Sequence, residues 1–355
     1  MRAFTLCILV YATWGLVWPT ATMGQTAYFY EGHGYGSEAQ FNPVSVLFNE
    51  GYGILQLDGW SRNLGDYPYR TGAANVWRSI SNPVETIRGY GARRFLTSEL
   101  LPLSTRAGGG GQWVPNYQLH MIGGGATFAT LREWYAAQGA PRAGLWAGLT
   151  VTTVHLLNET VENRGFVGPN ADAVADLFVF DPAGMLLYSS ERVRRFFGQT
   201  LHLRSWMGQA ALTFGPVALQ NHGQSYAMKV PIWRRWRLFY YFGMNTMWGV
   251  SHGTRDGWSW SLGAGLHSKR LVTVDAEVNR KTAELAFTTG AFVDHKGSLF
   301  ASLVYSEAHP ARWLLNVYPG VVRMGRVSPG WWVAVMREGE VRAGIGLRTG
   351  LGIGL

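Results

Sequence analysis

The chain has 355 residues, a net charge of +9, only 15% charged residues, 46 glycines and 14% aromatics. Soluble domains carry about 25% charged residues, and no segment beyond the N-terminus offers the roughly 20 uninterrupted apolar residues of a membrane helix, so neither an ordinary soluble composition nor a helical membrane bundle fits. The basic residues are scattered apart from Trp233-Arg234-Arg235-Trp236-Arg237, a cluster better suited to lipopolysaccharide phosphates or anionic headgroups than to nucleic acid.

In chain order, Met1-Arg2 opens a short apolar run, Ala3 to Trp18, followed by Pro19 and small residues up to Gly24. A basic start, an apolar stretch and small residues at Thr22 and Gly24 predict a signal peptide over 1–24, cut after Gly24. An N-terminal membrane anchor is the competing expectation. Cys7 is the chain's one cysteine and lies inside that leader, so a mature chain has neither intrachain disulfides nor a zinc–thiolate site.

Residues 25–111 read as a mixed segment. Tyr28-Phe29-Tyr30 and Gly51 to Leu57 have the composition of strands, and Asn75 to Leu101 has helical spacing broken at Asn82-Pro83 and at Gly89-Tyr90-Gly91. Gly108 to Gly111 marks a joint. Residues 112–198 change to a helical period. One helix is expected over Tyr117 to Ala137, a second over Gly144 to Asn163, and a third from the cap Asn170 to Phe180, where Asp181-Pro182-Ala183-Gly184 ends it.

Alternation takes over in 199–355. Trp258, Trp260, Leu262, Ala264 and Leu266 share one face, with Ser259, Ser261, Gly263, Gly265 and His267 on the other. Leu285 to Val293 and Leu299 to Tyr305 form a hairpin around Asp294-His295-Lys296-Gly297. The final stretch, Val341 to Leu355, is apolar at every odd position except Thr349, with glycine or arginine at every even one. It reads as a single long strand with one apolar and one small or cationic face. A soluble sandwich's edge strand is the alternative. The fold class expected is α+β: a transmembrane antiparallel β-barrel of roughly ten to twelve strands, preceded by a three-helix segment with a polar core.

The chemistry-bearing residues lie on the helices. His155, Glu159 and Glu162 are spaced four and three apart on one face; His120 precedes them, and Asp172 and Asp176 are four apart on the next helix. Ionisable side chains on such apolar helices must meet one another, a metal or water. Three roles stay open. The six can act in hydrolysis or metal binding, with Glu159, Glu162, Asp172 and Asp176 able to hold a divalent cation; they can lock the helices as a polar network; or they can be caps and solvated faces. The chain lacks a His-Glu-x-x-His zinc motif and a Gly-x-Ser-x-Gly elbow. His252, His267 and His295 are singletons expected to be solvated.

The order His120, Glu159-x-x-Glu162-Asn163, Asn170-x-Asp172-x-x-x-Asp176 and Gly184 loosely resembles a pattern in uncharacterised bacterial envelope proteins that pair a short helical segment with outer-membrane strands. That resemblance implies a cell-envelope fold and location rather than a reaction. The terminal stretch also resembles the signal by which barrel-assembly machinery takes up outer-membrane barrels, but it ends in Leu355 instead of an aromatic residue. The expectation is an outer-membrane protein of a Gram-negative bacterium, of structural, binding or transport type, in contact with lipid and lipopolysaccharide and needing no cofactor. A lipid- or lipopolysaccharide-acting hydrolase built on the His/Glu/Asp cluster is the alternative.

Overall fold

A computed structural model describes residues 27–102, 112–308, 310–322 and 328–355. The signal peptide expected over 1–24 and the glycine joint at Gly108 to Gly111 lie outside the described residues. The chain divides into two compact units. A sheet unit comprises Ala27–Asp66, Arg194–Leu271 and Glu284–Leu355; a helical unit comprises Tyr67–Val193 and Val272–Ala283, so the mixed N-terminal segment is shared between them.

The fold is α+β, with one large, mostly antiparallel sheet. Its thirteen described strands are β1 (Arg204–Ser205), β2 (Ala211–Thr213), β3 (Ala218–Gln220), β4 (Tyr226–Trp233), β5 (Trp236–Phe242), β6 (Asn245–Gly253), β7 (Trp258–Asp275), β8 (Arg280–His295), β9 (Ser298–Ser306), β10 (Ala311–Val317), β11 (Gly330–Met336), β12 (Val341–Gly346) and β13 (Gly352–Gly354). The spatial order is β1-β4-β5-β6-β7-β8-β9-β10-β11-β12-β13-β2-β3. Strands β4 to β13 thus follow one another as a meander, and β13 pairs with β2 in parallel.

The two ends of the meander meet the same short piece of chain. Arg204 and Ser205 pair with Ala227 and Tyr226 of β4. The ladder continues as Trp206 N–H donates to Ser225 O (2.7 Å) and Gly208 N–H donates to Gly223 O (2.8 Å). A few residues on, Gly352 N–H donates to Ala210 O (2.7 Å), and Ala211 and Leu212 pair with Gly352 and Ile353 of β13.

Alternation along the strands sets which face is buried, and on β7 the sense is the reverse of a soluble sheet's. On β7, Trp260 and Leu262 are 58% and 62% exposed, while Ser259, Ser261 and His267 are buried. Trp248 and Val250 on β6 point outward beside them, and Ser251 points inward, where Ser261 Oγ donates to it at 2.9 Å. The buried face is well filled. Trp206, Phe239, Tyr241, Met247 and Phe292 form one cluster, Lys229 pairs with Asp294, and a cavity of about 70 Å³ with mixed polar and apolar lining remains beside Trp206, His222, Ser302 and Asn316. His267 is therefore not a solvated turn residue, and His295 is held between Tyr35 Oη and Asp256 O, each at 3.0 Å.

Three expectations are corrected here. The segments at Tyr28 and Gly51 are not strands: Tyr28 and Phe29 are buried in irregular chain, and Gly53–Gln56 is a short 3₁₀ turn. Between them Asn42 caps α1 (Pro43–Glu50), accepting from Val44 N–H and Ser45 N–H, with Pro43 preset for the first turn. Residues 27–66 supply side chains to the buried face, as where Gly223 N–H donates to Asn49 Oδ1 at 2.9 Å, so their apolar residues are spent on packing and not on strand pairing.

The C-terminal stretch is two strands, not one. Gly344 pairs with Gly354 and Ile345 with Ile353 across a reversal at Gly350, whose φ of +85° suits glycine. The turn preserves parity, so Ile345 and Ile353 both point outward and the pattern runs on unbroken through the reversal. At Gly344 a Cβ would lie 2.6 Å from the Trp332 ring. Finally, the strands outnumber the expected ten to twelve because β1, β2, β3 and β13 are only two or three residues long, too short for alternation to reveal.

The helical unit holds α2 (Tyr69–Ser81), α3 (Pro83–Tyr90), α4 (Ala92–Arg94, continuing as Phe95–Leu100), α5 (Trp113–Gly124, continuing as Gly125–Ala137), α6 (Ala143–Asn163) and α7 (Ala171–Ala175, Asp176–Phe180 and Asp181–Ser189 in succession). The breaks before Pro83 and at Gly91 fall as expected, because proline lacks the N–H of a helix interior and Gly91 has a φ of +101°. Val76, Ile80, Ala173 and Leu177 make one core, and Tyr90, Phe95, Val174 and Phe180 another. No described helix is long and apolar enough to cross a membrane.

Candidate functional site

Close helix packing builds the site. A Cβ on Gly184 would lie 2.5 Å from Met121 O, and one on Gly125 would lie 2.9 Å from Gly184 O. These small residues let α5 and α7 approach backbone to backbone, which brings His120 of α5 against α7. Gly124 leaves room for the His155 ring of α6, whose Cε1 would be 3.0 Å from a Cβ there.

On α7 the Asn170 side chain accepts from Ala173 N–H, so the helix starts where its cap was expected. It does not end at Asp181. The stretch Asp176–Phe180 is a wide π turn in which Asp181 N–H donates to Asp176 O, five residues back. That wider turn accommodates Pro182, which has no N–H to give, and the helix runs on to Ser189. It also rotates Asp181 onto the face that carries Asp176. The following stretch is helical too, through Glu191–Arg195 and Phe196–Thr200.

The result is a buried group of carboxylates and imidazoles. His120 Nδ1 lies 2.9 Å from Asp181 Oδ1, His155 Nδ1 lies 2.6 Å from Asp181 Oδ2, and His120 Nε2 lies 3.4 Å from Asp176 Oδ2. The two rings meet edge to face with centroids 4.9 Å apart. His155, Glu159, Asp176 and Asp181 are all buried, which removes the solvated-face role for them. Two sets, His120/His155/Asp181 and His120/Glu159/Asp176, each place three ligand atoms within 4.8 Å of one another, an arrangement able to hold a metal ion.

Burial and neighbouring charge divide the carboxylates into two kinds. Burial alone would push the Asp181 carboxyl up, but His155 and His120 together hold it down to about 2. The reciprocal effect acts on His120: burial disfavours its charged form, and the Asp181 carboxylate outweighs that to raise its pKa. Glu159 has the opposite fate, pushed well up by burial and then by Asp172 and Asp176. Asp176 is likewise raised by burial, then by Asp172 and Asp181. Half-buried Asp172 is raised to about 7 by burial, then by Glu99 and Glu162. Like charges crowded away from water favour uptake of a proton or a cation.

Of the six residues expected from sequence, His120, His155, Glu159 and Asp176 are brought together. Asp172 contributes through its charge but belongs to neither ligand set, and Glu162 instead faces Lys281 Nζ at 3.4 Å. Of the expected cation set Glu159/Glu162/Asp172/Asp176, Glu159 and Asp176 enter a ligand set, together with His120. Sequence reasoning missed Asp181 because a Pro-containing stretch read as a stop. It also missed Glu99, buried on α4 and tied to Tyr90 Oη (2.7 Å) and Ser98 Oγ (2.8 Å), with Asn116 Nδ2 donating to its backbone carbonyl (3.0 Å).

A separate polar network does lock helices together. Asn75 Nδ2 donates to Asn163 Oδ1 (2.6 Å), Asn163 Nδ2 donates to Phe166 O (2.9 Å), and Gly168 N–H donates to Asn75 Oδ1 (3.1 Å). These asparagines lie one turn beyond the carboxylates, and the Asp181 contacts to His120 and His155 tie α5, α6 and α7 together as well. No protein-family model, curated protein or solved structure matches the chain.

Proposed function

We propose that this chain is an outer-membrane β-barrel envelope protein of structural or binding type, exported through a cleaved signal peptide in a Gram-negative bacterium and taken up by barrel-assembly machinery. The observation that carries this is the sense of the alternation: large apolar side chains such as Trp248, Trp260 and Leu262 point outward while serines, Lys229 and Asp294 point inward. Lipid is the solvent that favours that arrangement. Backbone groups in lipid must all be paired, and the pairing of residues 204–213 with β4 at one end and with β13 at the other supports a closed arrangement. The exposed Trp233-Arg234-Arg235-Trp236 turn combines aromatic and cationic groups suited to the headgroup region and to lipopolysaccharide phosphates. The loose resemblance of His120 to Gly184 to envelope proteins agrees with this location. The filled inner face favours binding or structural work over diffusion of large solutes, and the barrel itself calls for no cofactor and no nucleic acid.

The test is heat-modifiable gel mobility of protein taken from outer membranes, paired with planar-bilayer recording. A compact band that shifts only on boiling, with no large steady conductance, is the expected result. Mature protein in the soluble fraction without a heat-dependent shift overturns the proposal.

A second role is favoured by one specific observation: Asp181 carries an imidazole at each carboxylate oxygen, His120 at 2.9 Å and His155 at 2.6 Å, beside buried carboxyls whose pKa is raised by burial and neighbouring charge. Such a group pairs a general base with general acids, as a lipid- or lipopolysaccharide-acting hydrolase requires. Product released from lipid or lipopolysaccharide by wild type, and lost in His120→Gln while the compact band persists, supports it. Undiminished release by His120→Gln ends it.

A further inference from the structure

We propose that the helical unit contains a metal centre in which His120 Nε2, Glu159 and Asp176 bind one first-row divalent transition cation, with Asp181 orienting the imidazole from behind. It stands apart from the barrel proposal, since every residue involved belongs to the helical unit.

Three observations carry it. One ligand atom from each of His120, Glu159 and Asp176 lies within 4.8 Å of the others, and His120 Nε2 lies 3.4 Å from Asp176 Oδ2, inside the span of at most about 4 Å open to two ligands each about 2 Å from a shared ion. Asp176 Oδ1 is buried and accepts no hydrogen bond among the described residues. A buried carboxylate oxygen without a donor is costly, and a cation is the partner that would satisfy it. The third is the Asp181–His120 contact at 2.9 Å through Nδ1. A carboxylate at one imidazole nitrogen fixes the tautomer and directs the other nitrogen, with its lone pair, toward a metal. In this centre that nitrogen is Nε2, on the side of Asp176.

The alternative set, His120/His155/Asp181, is less suited to an ion. The His155 Nδ1 to Asp181 Oδ2 distance of 2.6 Å is shorter than the roughly 3 Å between neighbouring ligands on one transition ion. Asp181 already has an imidazole at each oxygen, which is the role of an orienting group. An imidazole among the ligands disfavours magnesium and calcium, which prefer oxygen, whereas imidazole with carboxylates suits zinc, iron, cobalt or manganese.

The test uses the full-length protein in detergent, stripped with chelator and titrated with cobalt(II), then with zinc(II) in competition. One equivalent of cobalt with visible d–d bands, displaced by zinc, is expected. Glu159→Gln and Asp176→Asn should each abolish stoichiometric uptake, and Asp181→Asn should weaken it by about 10- to 100-fold. Surface Glu85→Gln should bind as wild type does. Folded wild type that takes up no stoichiometric cobalt or zinc overturns the proposal, as does wild-type affinity in Asp176→Asn. If the variants do not fold, the cobalt-loaded wild type still decides: coupling to an imidazole nitrogen is required, and its absence overturns the assignment. Metal content is read independently of any heat-modifiable band, so failure of the barrel proposal would leave this result standing.

Discussion

The sheet unit and the helical unit both bury charge, but they balance it differently. In the sheet unit Lys229 meets Asp294 and each is neutralised by the other, while Ser261 donates to Ser251. In the helical unit burial and then neighbouring carboxylates raise the pKa of Glu159, Asp172 and Asp176, while Asp181, with an imidazole at each oxygen, is held down. A satisfied pair needs nothing further and serves the fold. An excess of buried carboxylate needs a proton or a cation.

Removing one charge from each unit breaks the comparison most directly. Lys229→Met leaves Asp294 buried without its cation and should destabilise by about 3–5 kcal/mol. The double variant Lys229→Met/Asp294→Leu should recover most of that, as measured by the denaturant midpoint of the heat-modifiable band. In the helical unit the same operation has the opposite sign, because Asp176→Asn relieves repulsion in chelator-treated protein. A single-variant loss at position 229 that the double variant does not recover would show that packing, not pairing, dominates there.

The outward face offers the next largest effect. Leu262→Arg places a charge where the barrel proposal puts hydrocarbon and should cost about 2–4 kcal/mol near the bilayer midplane, with loss of the compact band. The same change at an exposed helical-unit position, Leu186→Arg, should leave that band in place. Equal tolerance at both sites would count against lipid as the solvent of the sheet's outer face.

The smallest effect expected is a pH dependence confined to the helical unit. Glu159 and Asp176 have raised pKa values and Asp172 is raised to about 7, so the folded state holds these protons more tightly than the unfolded chain. The contribution of Asp172 is fully present below about pH 4 and is lost as pH rises through about 7, and those of Glu159 and Asp176 are lost in the same direction as pH rises through their raised values. The raised pKa of His120 acts in the same direction through its own range. Asp181, held at about 2, acts oppositely but only in acid, losing its contribution as pH falls below about 4. Between pH 5 and 8 the net sign is therefore destabilisation with rising pH. Amide exchange in chelator-treated protein, corrected for intrinsic rates, should be more protected at pH 5 in α5, α6 and α7. Greater protection at pH 8 would contradict the raised carboxyls.

The sequence by itself determined the α+β composition, the hairpin around Asp294 to Gly297, helices α5 and α6, and which strand residues share a face. Those features follow from local period, and period is written in consecutive residues. It also placed His120, His155, Glu159 and Asp176 on neighbouring helices. Only tertiary structure decided the rest. A reversal at Gly350 that preserves parity is invisible to alternation, and strands as short as β1 and β13 exist only because neighbours complete their ladders. Asp181 joins the site because a wide turn carries α7 through Pro182, and Glu99 is buried by packing that no spacing foretells. Glu162 leaves the cluster for Lys281, 119 residues away in the chain. Which charges meet is a matter of distance in space, and burial then fixes what each meeting is worth.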